Sequence, residues 1–226
     1  ITEADLKSNE IIKTILSKTK HKILSEEDKD DQNRLSEEII WIVDPLDGTS
    51  DFIDKTGEFT VMIALIKNKK PIIGVIGWPT EKIIFAAQEG CGAFRFSNGK
   101  WEKISVTKVS ELSKCKAVGS RHHLSEKEKM FIKKLGIMDF TSIGSSLKVG
   151  KICSGEAEAY ITTTNKMKEW DSAASYCLIS EAGGKMTDML GNDITYNNKI
   201  VNHQNGILVT NGLIHDKIVK EFKKLD

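Results

Sequence analysis

Trp41-Ile42-Val43-Asp44-Pro45-Leu46-Asp47-Gly48-Thr49 closes an apolar run that begins at Ile39. The run reads as a short buried strand, and Asp44 and Asp47 stand at its end, where ionised carboxylates are costly unless a cation or hydrogen bonds compensate them. Pro45 and Gly48 predict that the strand ends near Val43 in a tight turn. Two carboxylates three apart, the Leu46 carbonyl between them and a further acid from the preceding loop form an all-oxygen set of the kind Mg2+ or Mn2+ prefers. Gly48 and Thr49 follow with unhindered backbone N–H groups and a hydroxyl at a predicted helix start, where an anion such as phosphate binds well. A metal on one side and an N–H cradle on the other describe a site for a phosphate ester.

The charge distribution points to the same stretch. The 226 residues carry a net charge of +1, which argues against a polyanion binder such as a nucleic-acid polymer partner. Between Ser25 and Asp51, however, ten acids face only Lys29 and Arg34, a local net of −8 that leaves +9 elsewhere. Such a run is ordinarily a solvated loop, unless some of its acids bind a cation. Arginine occurs only at 34, 95 and 121, so bidentate phosphate forks are limited to three positions. Cys91, Cys115, Cys153 and Cys177 lack metal-ligand spacing and read as buried free thiols in a reducing compartment. No apolar stretch approaches the ~20 residues of a membrane span and no leader is visible. A cytoplasmic protein is expected, with peripheral attachment to the inner membrane as the alternative.

Outward from the acidic turn, the pattern predicts an α/β protein in two lobes. Thr2-x-x-Asp5 has capping-box spacing, and Ile11/Ile15 with Ile12/Leu16 predict a helix over 3–19, followed by an acidic loop. Apolar segments near 58–66, 71–78, 82–88, 92–97 and 101–106, separated by turn residues, predict an antiparallel meander. Beyond residue 115, apolar runs at 116–120, 138–143, 157–161, 184–187 and 206–210 alternate with helical stretches at 124–135, 145–154, 170–182 and 212–225, as in an α/β layer. The lobes are therefore drawn as 1–113, holding the metal site, and 114–226. The lysine-rich face of the last helix reads as solvated surface. Two other motifs fail: the EF-hand reading at Asp28-x-Asp30 lacks glycine at its sixth position and has Ile39 at its twelfth, and no Gly-Lys-Ser/Thr of a P-loop occurs.

A second motif, Glu169-Trp170-Asp171-Ser172-Ala173-Ala174, completes a pair. Together with Trp41 to Thr49 it resembles the paired signatures of the inositol monophosphatase superfamily of metal-dependent, lithium-sensitive phosphatases. Leu24-Ser-Glu26-Glu27-Asp28, Gly57-Glu-Phe-Thr60, Ser120-Arg-His122 and Ile143-Gly-Ser-Ser-Leu-Lys148 resemble the 3'(2'),5'-bisphosphate nucleotidases of the CysQ type more than the inositol phosphatases. The resemblance runs from Thr2 to Val209 and implies the layered α-β-α-β-α fold of sugar phosphatases. It also implies two or three Mg2+ ions, with Mn2+ as an alternative. Glu26, Asp44 and the Leu46 carbonyl would hold one ion, and Asp44, Asp47 and Asp171 a second. Asp5 would orient Thr49, and this dyad would help to activate the attacking water. Gly48, Thr49, His122, Ser145, Lys148 and Asp171 would contact the substrate.

These assignments carry bland counterparts. Ser145 and Ser146 have the residue type that caps a helix, and a lone lysine such as Lys148 is ordinarily a surface charge. The family often has an arginine two residues after the tyrosine ahead of its second motif, whereas this chain has Tyr160-Ile161-Thr162. Lys166 or Lys168 would have to serve the second phosphate as point charges. Ser175 stands where the family prefers glycine. The family's usual first helix has no counterpart ahead of the Thr2 to Asp5 segment, which suggests a fragment or a shortened N-terminus. The expected substrate is a small nucleotide bisphosphate, adenosine 3',5'-bisphosphate, losing its 3'-phosphate. Inositol monophosphate or a sugar phosphate is the alternative, and a non-catalytic metal- or nucleotide-binding relative is the rival from another class. A homodimer is the expected assembly.

Overall fold

The computed structural model describes residues 1–225. Two sheets account for most of the architecture. The first has strand order β1-β2-β3-β4-β5-β6-β7, built from Lys22–Ser25, Ile39–Asp47, Thr60–Lys67, Lys70–Trp78, Ile83–Gln88, Gly92–Ser97 and Lys100–Ile104. β1 runs parallel to β2, and every later neighbour is antiparallel, the expected meander. The second sheet has order β11-β12-β10-β8-β9, built from Lys116–Ser120 (β8), Asp139–Ile143 (β9), Ala159–Thr162 (β10), Lys185–Thr187 (β11) and Ile207–Thr210 (β12). Its helices are Glu126–Lys134 (α3), Leu147–Cys153 (α4), Ala173–Glu181 (α5) and His215–Phe222 (α6), while Glu3–Leu16 (α1) and the short Thr49–Ile53 (α2) belong to the first half.

Alternation along the strands makes five layers. Ile12 and Leu16 of α1 pack on Val43 and Trp41, covering one face of the first sheet. Its other face, with Leu24, Ile42, Met62 and Ile76, packs on Leu147 and Ile152 of α4 and on Ala174 and Leu178 of α5. Beneath these helices lie Tyr160, Ile207 and Val209 from the second sheet. The intervening residues Ala159, Ile161 and Leu208 face the other way, onto Phe131 and Ile132 of α3 and Ile218 of α6. The result is the α-β-α-β-α arrangement, its central core shared by both halves. α5 can lie close on β4 because position 74 is glycine; a Cβ there would meet the Ala174 carbonyl oxygen at 2.5 Å.

Two local expectations are corrected. The segment after α1 contains a strand, β1, whose Ser25 pairs with Val43. β2 does not stop at Val43; it runs through Pro45 to Asp47. Asp44 pairs with Met62 and Asp47 with Thr60, so three steps on β2 match two on β3, a bulge. The bulge absorbs the proline, which has no N–H to give. Its carbonyl accepts from Ser8 Oγ at 2.8 Å and the next amide, Leu46 N, donates to Asp44 Oδ1 at 3.0 Å.

Candidate active site

Parallel pairing of β1 with β2 sets Glu26, just past Ser25, beside Asp44; Glu26 N donates to the Val43 carbonyl at 3.2 Å. Asp171 arrives from a single 3-10 turn, Glu169–Asp171, ahead of α5, where its carboxylate accepts from Lys168 N at 2.7 Å. One oxygen from each of Glu26, Asp44 and Asp171 lies within 4.8 Å of the others. At an effective dielectric of ~20, two ionised carboxylates that close repel by about 3 kcal/mol. Burial first, and then the charges of Asp47, Glu26 and Asp171, push the Asp44 carboxyl well above the usual carboxylate range. Asp171 is pushed up to about 7 by burial and by Asp47, and Glu26 is raised by burial, partly offset by Lys168. Crowded, mutually repelling oxygen donors with Asp44 fully buried among them fit a hard divalent cation, whose charge would oppose all three shifts.

Asp47 stands apart from this trio. Past the bulge its Oδ2 accepts from Ser146 N at 2.5 Å and from Thr60 Oγ1 at 3.2 Å. Burial raises its pKa, opposed by Lys148 and by these hydrogen bonds. The Leu46 carbonyl accepts from Thr49 Oγ1 at 3.4 Å.

Asp5 does two jobs. Its Oδ2 accepts from Thr2 N at 2.6 Å, closing the capping box of α1, while Oδ1 accepts from Thr49 Oγ1 at 3.2 Å. Burial alone would raise its pKa, but the hydrogen bonds from Thr2 and Thr49 outweigh it and hold Asp5 below the ordinary value. Gly48, at φ +92°, turns the chain from β2 into α2; a Cβ there would be strained and would press on Ser145 Cβ at 3.2 Å.

Asp47, Gly48, Thr49, His122, Ser145, Lys148 and Asp171 share the wall of one cavity of about 440 Å³, within the size range of small-molecule sites. Asp5, Glu26, Asp44 and Leu46 do not line it but touch or approach residues that do. Lys166, a sequence candidate for the second phosphate, also lines this cavity, together with Glu128, Tyr160, Met167, Met186 and Val209, which the sequence did not point to. Glu128 accepts from Thr163 N at 2.6 Å and thereby ties the segment before Lys166 to α3. Its Ser125-x-x-Glu128 spacing has the form of a helix capping box, a signal open to sequence reading, whereas nothing local points to Thr163.

Lys148 is not a surface charge. It is 7% exposed, its Nζ donates to the Ser145 carbonyl and lies 5.3 Å from the centre of the Tyr160 ring. Burial lowers its pKa, with Asp47 and Asp51 opposing. Ser146 does not cap α4 through its side chain either; its hydroxyl pairs with Thr60 Oγ1 at 2.7 Å, while Ser145 Oγ accepts from Leu147 N at 3.4 Å. His122 Nε2 lies 3.4 Å from Asp51 Oδ1. All three arginines are engaged by carboxylates of the protein: Arg34 by Asp30, Arg95 by Glu102 and Arg121 by Glu58. Lys168 Nζ lies 4.9 Å from the Trp170 ring centre. Cys115, Cys153 and Cys177 are buried free thiols, and Cys91 is exposed. Among the described residues no helix is long and apolar enough to cross a membrane.

Comparison with known proteins identifies the family. The inositol monophosphatase family profile matches residues 1–226. The 3'(2'),5'-bisphosphate nucleotidase CysQ of Shigella flexneri is 36% identical over 179 residues, 77% of this chain and 69% of the relative. A Thermotoga maritima fructose-1,6-bisphosphatase/inositol-1-monophosphatase is 31% identical over 200 residues, 84% of this chain and 73% of the relative. The crystal structure of CysQ from Bacteroides thetaiotaomicron superposes with a TM-score of 0.82 at 33% identity, covering 91% of this chain and 82% of that one. By profile, sequence and fold, the chain belongs to the inositol monophosphatase family and is a phosphatase.

Proposed function

We propose that the protein removes the 3'-phosphate of adenosine 3',5'-bisphosphate, giving AMP and phosphate, with Mg2+ as the metal and Mn2+ able to replace it. The observation that carries the reading is the convergence of Glu26, Asp44 and Asp171 at the edge of a cavity that also holds the buried cation Lys148. The name of the relatives that match at 35–37% identity supports the nucleotide as substrate. Glu26, Asp44, Asp171, Asp47 and the Leu46 carbonyl would hold two or three ions, which supply Lewis acidity toward the phosphoryl oxygens when bound.

The chain's own residues supply the rest. Thr49 Oγ1 donates its hydrogen bond to Asp5, which its hydrogen bonds keep ionised. The Thr49 oxygen is therefore left as an acceptor toward the cavity, and a water hydrogen-bonded to it presents a lone pair to phosphorus. Lys148 places positive charge beside Asp47 at the cavity wall, favourable to the phosphate dianion and to charge that grows on the leaving 3'-oxygen. Gly48, Ser145 and His122 line the same wall and would contact the phosphate. With the arginines engaged elsewhere, the second phosphate would meet Lys166 in the same cavity.

Phosphate release from adenosine 3',5'-bisphosphate, inositol 1-phosphate and fructose 1,6-bisphosphate at equal Mg2+, with and without Li+, tests this. The nucleotide should be favoured at least ~10-fold in kcat/KM, a margin that polar recognition of a second charged group readily supplies. Equal or reversed rates would point to the sugar phosphatase reading. Binding of the nucleotide without release would make the chain a non-catalytic relative.

A further inference from the structure

The three converging carboxylates come from distant parts of the chain, Glu26 and Asp44 from the ends of β1 and β2 and Asp171 from the turn before α5. Their charges push apart, so other contacts must hold the two parts together. The segment 196–203, far from both in sequence, makes such contacts on both sides. Toward the first sheet it meets Arg34, a guanidinium only 1% exposed, in the short turn that leads into β2. Arg34 grips Asp30 through Nε at 2.6 Å and Nη2 at 2.8 Å, closing the loop that follows Glu26. Its Nη1 donates to Asn197 Oδ1 at 2.7 Å, its Nη2 to the Asn198 carbonyl at 2.9 Å, and its own carbonyl accepts from Asn197 Nδ2 at 3.0 Å.

Toward Asp171 the same two asparagines hold Glu169. Its buried carboxylate accepts from Asn197 N at 2.7 Å, Asn198 N at 2.8 Å and Asn198 Nδ2 at 2.9 Å. On the other side of Asp171, Ser172 Oγ pairs with His203 Nε2 at 2.6 Å and with Tyr196 Oη at 3.1 Å, and His203 N donates to the Met167 carbonyl at 2.8 Å. Asp171 is thus pinned through residues before and after it, and the pins lead back to the loop that carries Glu26. None of Arg34, Glu169, Asn197 and His203 lines the cavity, so their influence on the site passes through the residues they hold. A fully satisfied buried polar network of this kind fixes one geometry more strictly than apolar packing would.

We propose that segment 196–203 is a cross-brace that sets the position of Asp171 relative to Glu26 and Asp44, with Asn197 and His203 as positioning residues for the metal site. This rests on the reading of those three carboxylates as metal ligands. Asn197 sits at φ +61°, so Asn197→Gly keeps the backbone conformation while removing the side-chain bonds to Arg34 and leaving the Asn198 carbonyl contact.

The test is calorimetric titration of the substrate-free protein with Mn2+ alone. Asn197→Gly should weaken Mn2+ binding about 10-fold or more, the scale on which outer contacts affect metal sites, and turnover should recover toward wild type at saturating metal. Ile194→Val, an apolar truncation beside the brace, should lower the thermal midpoint and leave Mn2+ affinity unchanged. Glu169→Gln replaces one of the two oxygens that accept from these amides with an N–H donor and should act like Asn197→Gly, which keeps the test open if the glycine variant fails to fold. Wild-type affinity in both brace variants overturns the brace, and so does an equal loss in Ile194→Val. Absence of Mn2+ binding to the wild type overturns the metal reading instead, and the brace with it.

Discussion

Two groups of acids within the acidic run have opposite fates. Asp28, Asp30 and Asp31 each pair with a cation, Lys13 at 2.7 Å, Arg34 at 2.6 Å and Lys22 at 2.9 Å, and serve as fasteners for the loop. Glu26 and Asp44 in the same run have no such cation; they point at each other and at Asp171. Asp47 is intermediate, held by hydrogen bonds and opposite Lys148. Carboxylates of one composition become structural or chemical according to whether the fold supplies a counter-charge. A pooled charge of −8 conceals that distinction, because sequence proximity does not tell which acids the fold leaves unpaired.

Neutralising an unpaired acid should have the largest effect. Asp47→Asn is expected to lower phosphate release by at least about 10³-fold while leaving the fold intact, since it removes charge where a metal-assisted displacement needs it; near-normal turnover would break the assignment. Asp44→Asn should be comparably inactive, yet its metal-free form should melt no lower than the wild type. Replacing a buried, uncompensated charge by a neutral isostere relieves repulsion rather than breaking a pair. A clear fall in its melting midpoint would mean that Asp44 is a fastener after all.

Metal loading should come next in size. At a concentration 100-fold above its dissociation constant, a ligand specific for the folded state stabilises by about 2.7 kcal/mol, which for a chain of this length raises the midpoint by roughly 5–10 °C. Mg2+ should give a shift of that order, EDTA should reverse it together with activity, and Asp44→Asn should show none. Asp31→Asn should keep the full shift.

The pH profile of the metal-free protein separates the two kinds of buried group more finely. Asp171, raised by burial to about 7, contributes stability at low pH that is lost as pH rises through that value. His203 and His215, lowered by burial to about 4, contribute stability above their ordinary value that is lost as pH falls toward 4. These effects oppose each other between about pH 4 and 7, so the carboxylate shows as a difference between proteins rather than as a net decline. Over that window the metal-free wild type should gain stability with rising pH less steeply than Asp171→Asn, and Mg2+ should steepen the wild-type rise. A slope unchanged by metal would detach Asp171 from the ion.

Much of this was legible along the chain because its signals are local. The meander, the alternation beyond residue 115 and the two acidic motifs rest on spacing within a few residues, whereas the five layers entered only as what the family resemblance implies. What escaped depends on distant partners. β1 is only four residues long and becomes a strand through parallel pairing with β2. Pro45 looked like a strand end, because the bulge that accommodates it is specified by β3. Lys148 looked like a surface cation but is buried against Tyr160 and Asp47, and nothing local to Arg34 announced a partner more than 160 positions away.

The smallest expected effect gives the comparison its control. Asp31→Asn makes the same chemical change as Asp44→Asn, one carboxylate oxygen replaced by an amide nitrogen, at a residue half exposed and paired with an equally exposed Lys22. Exposed pairs contribute little and are screened by salt. Asn can still accept from Asn33 N, which Asp31 Oδ1 caps at 3.0 Å. Turnover should be unchanged and the melting midpoint should stay within about 2 °C of wild type, with the remaining difference erased in ~1 M NaCl, where charges more than about 3 Å apart no longer sense each other. A loss of activity here would mean that the site draws on the field of the whole acidic run; its absence, beside an inactive Asp44→Asn, confines the chemistry to the acids that the fold leaves without a cation.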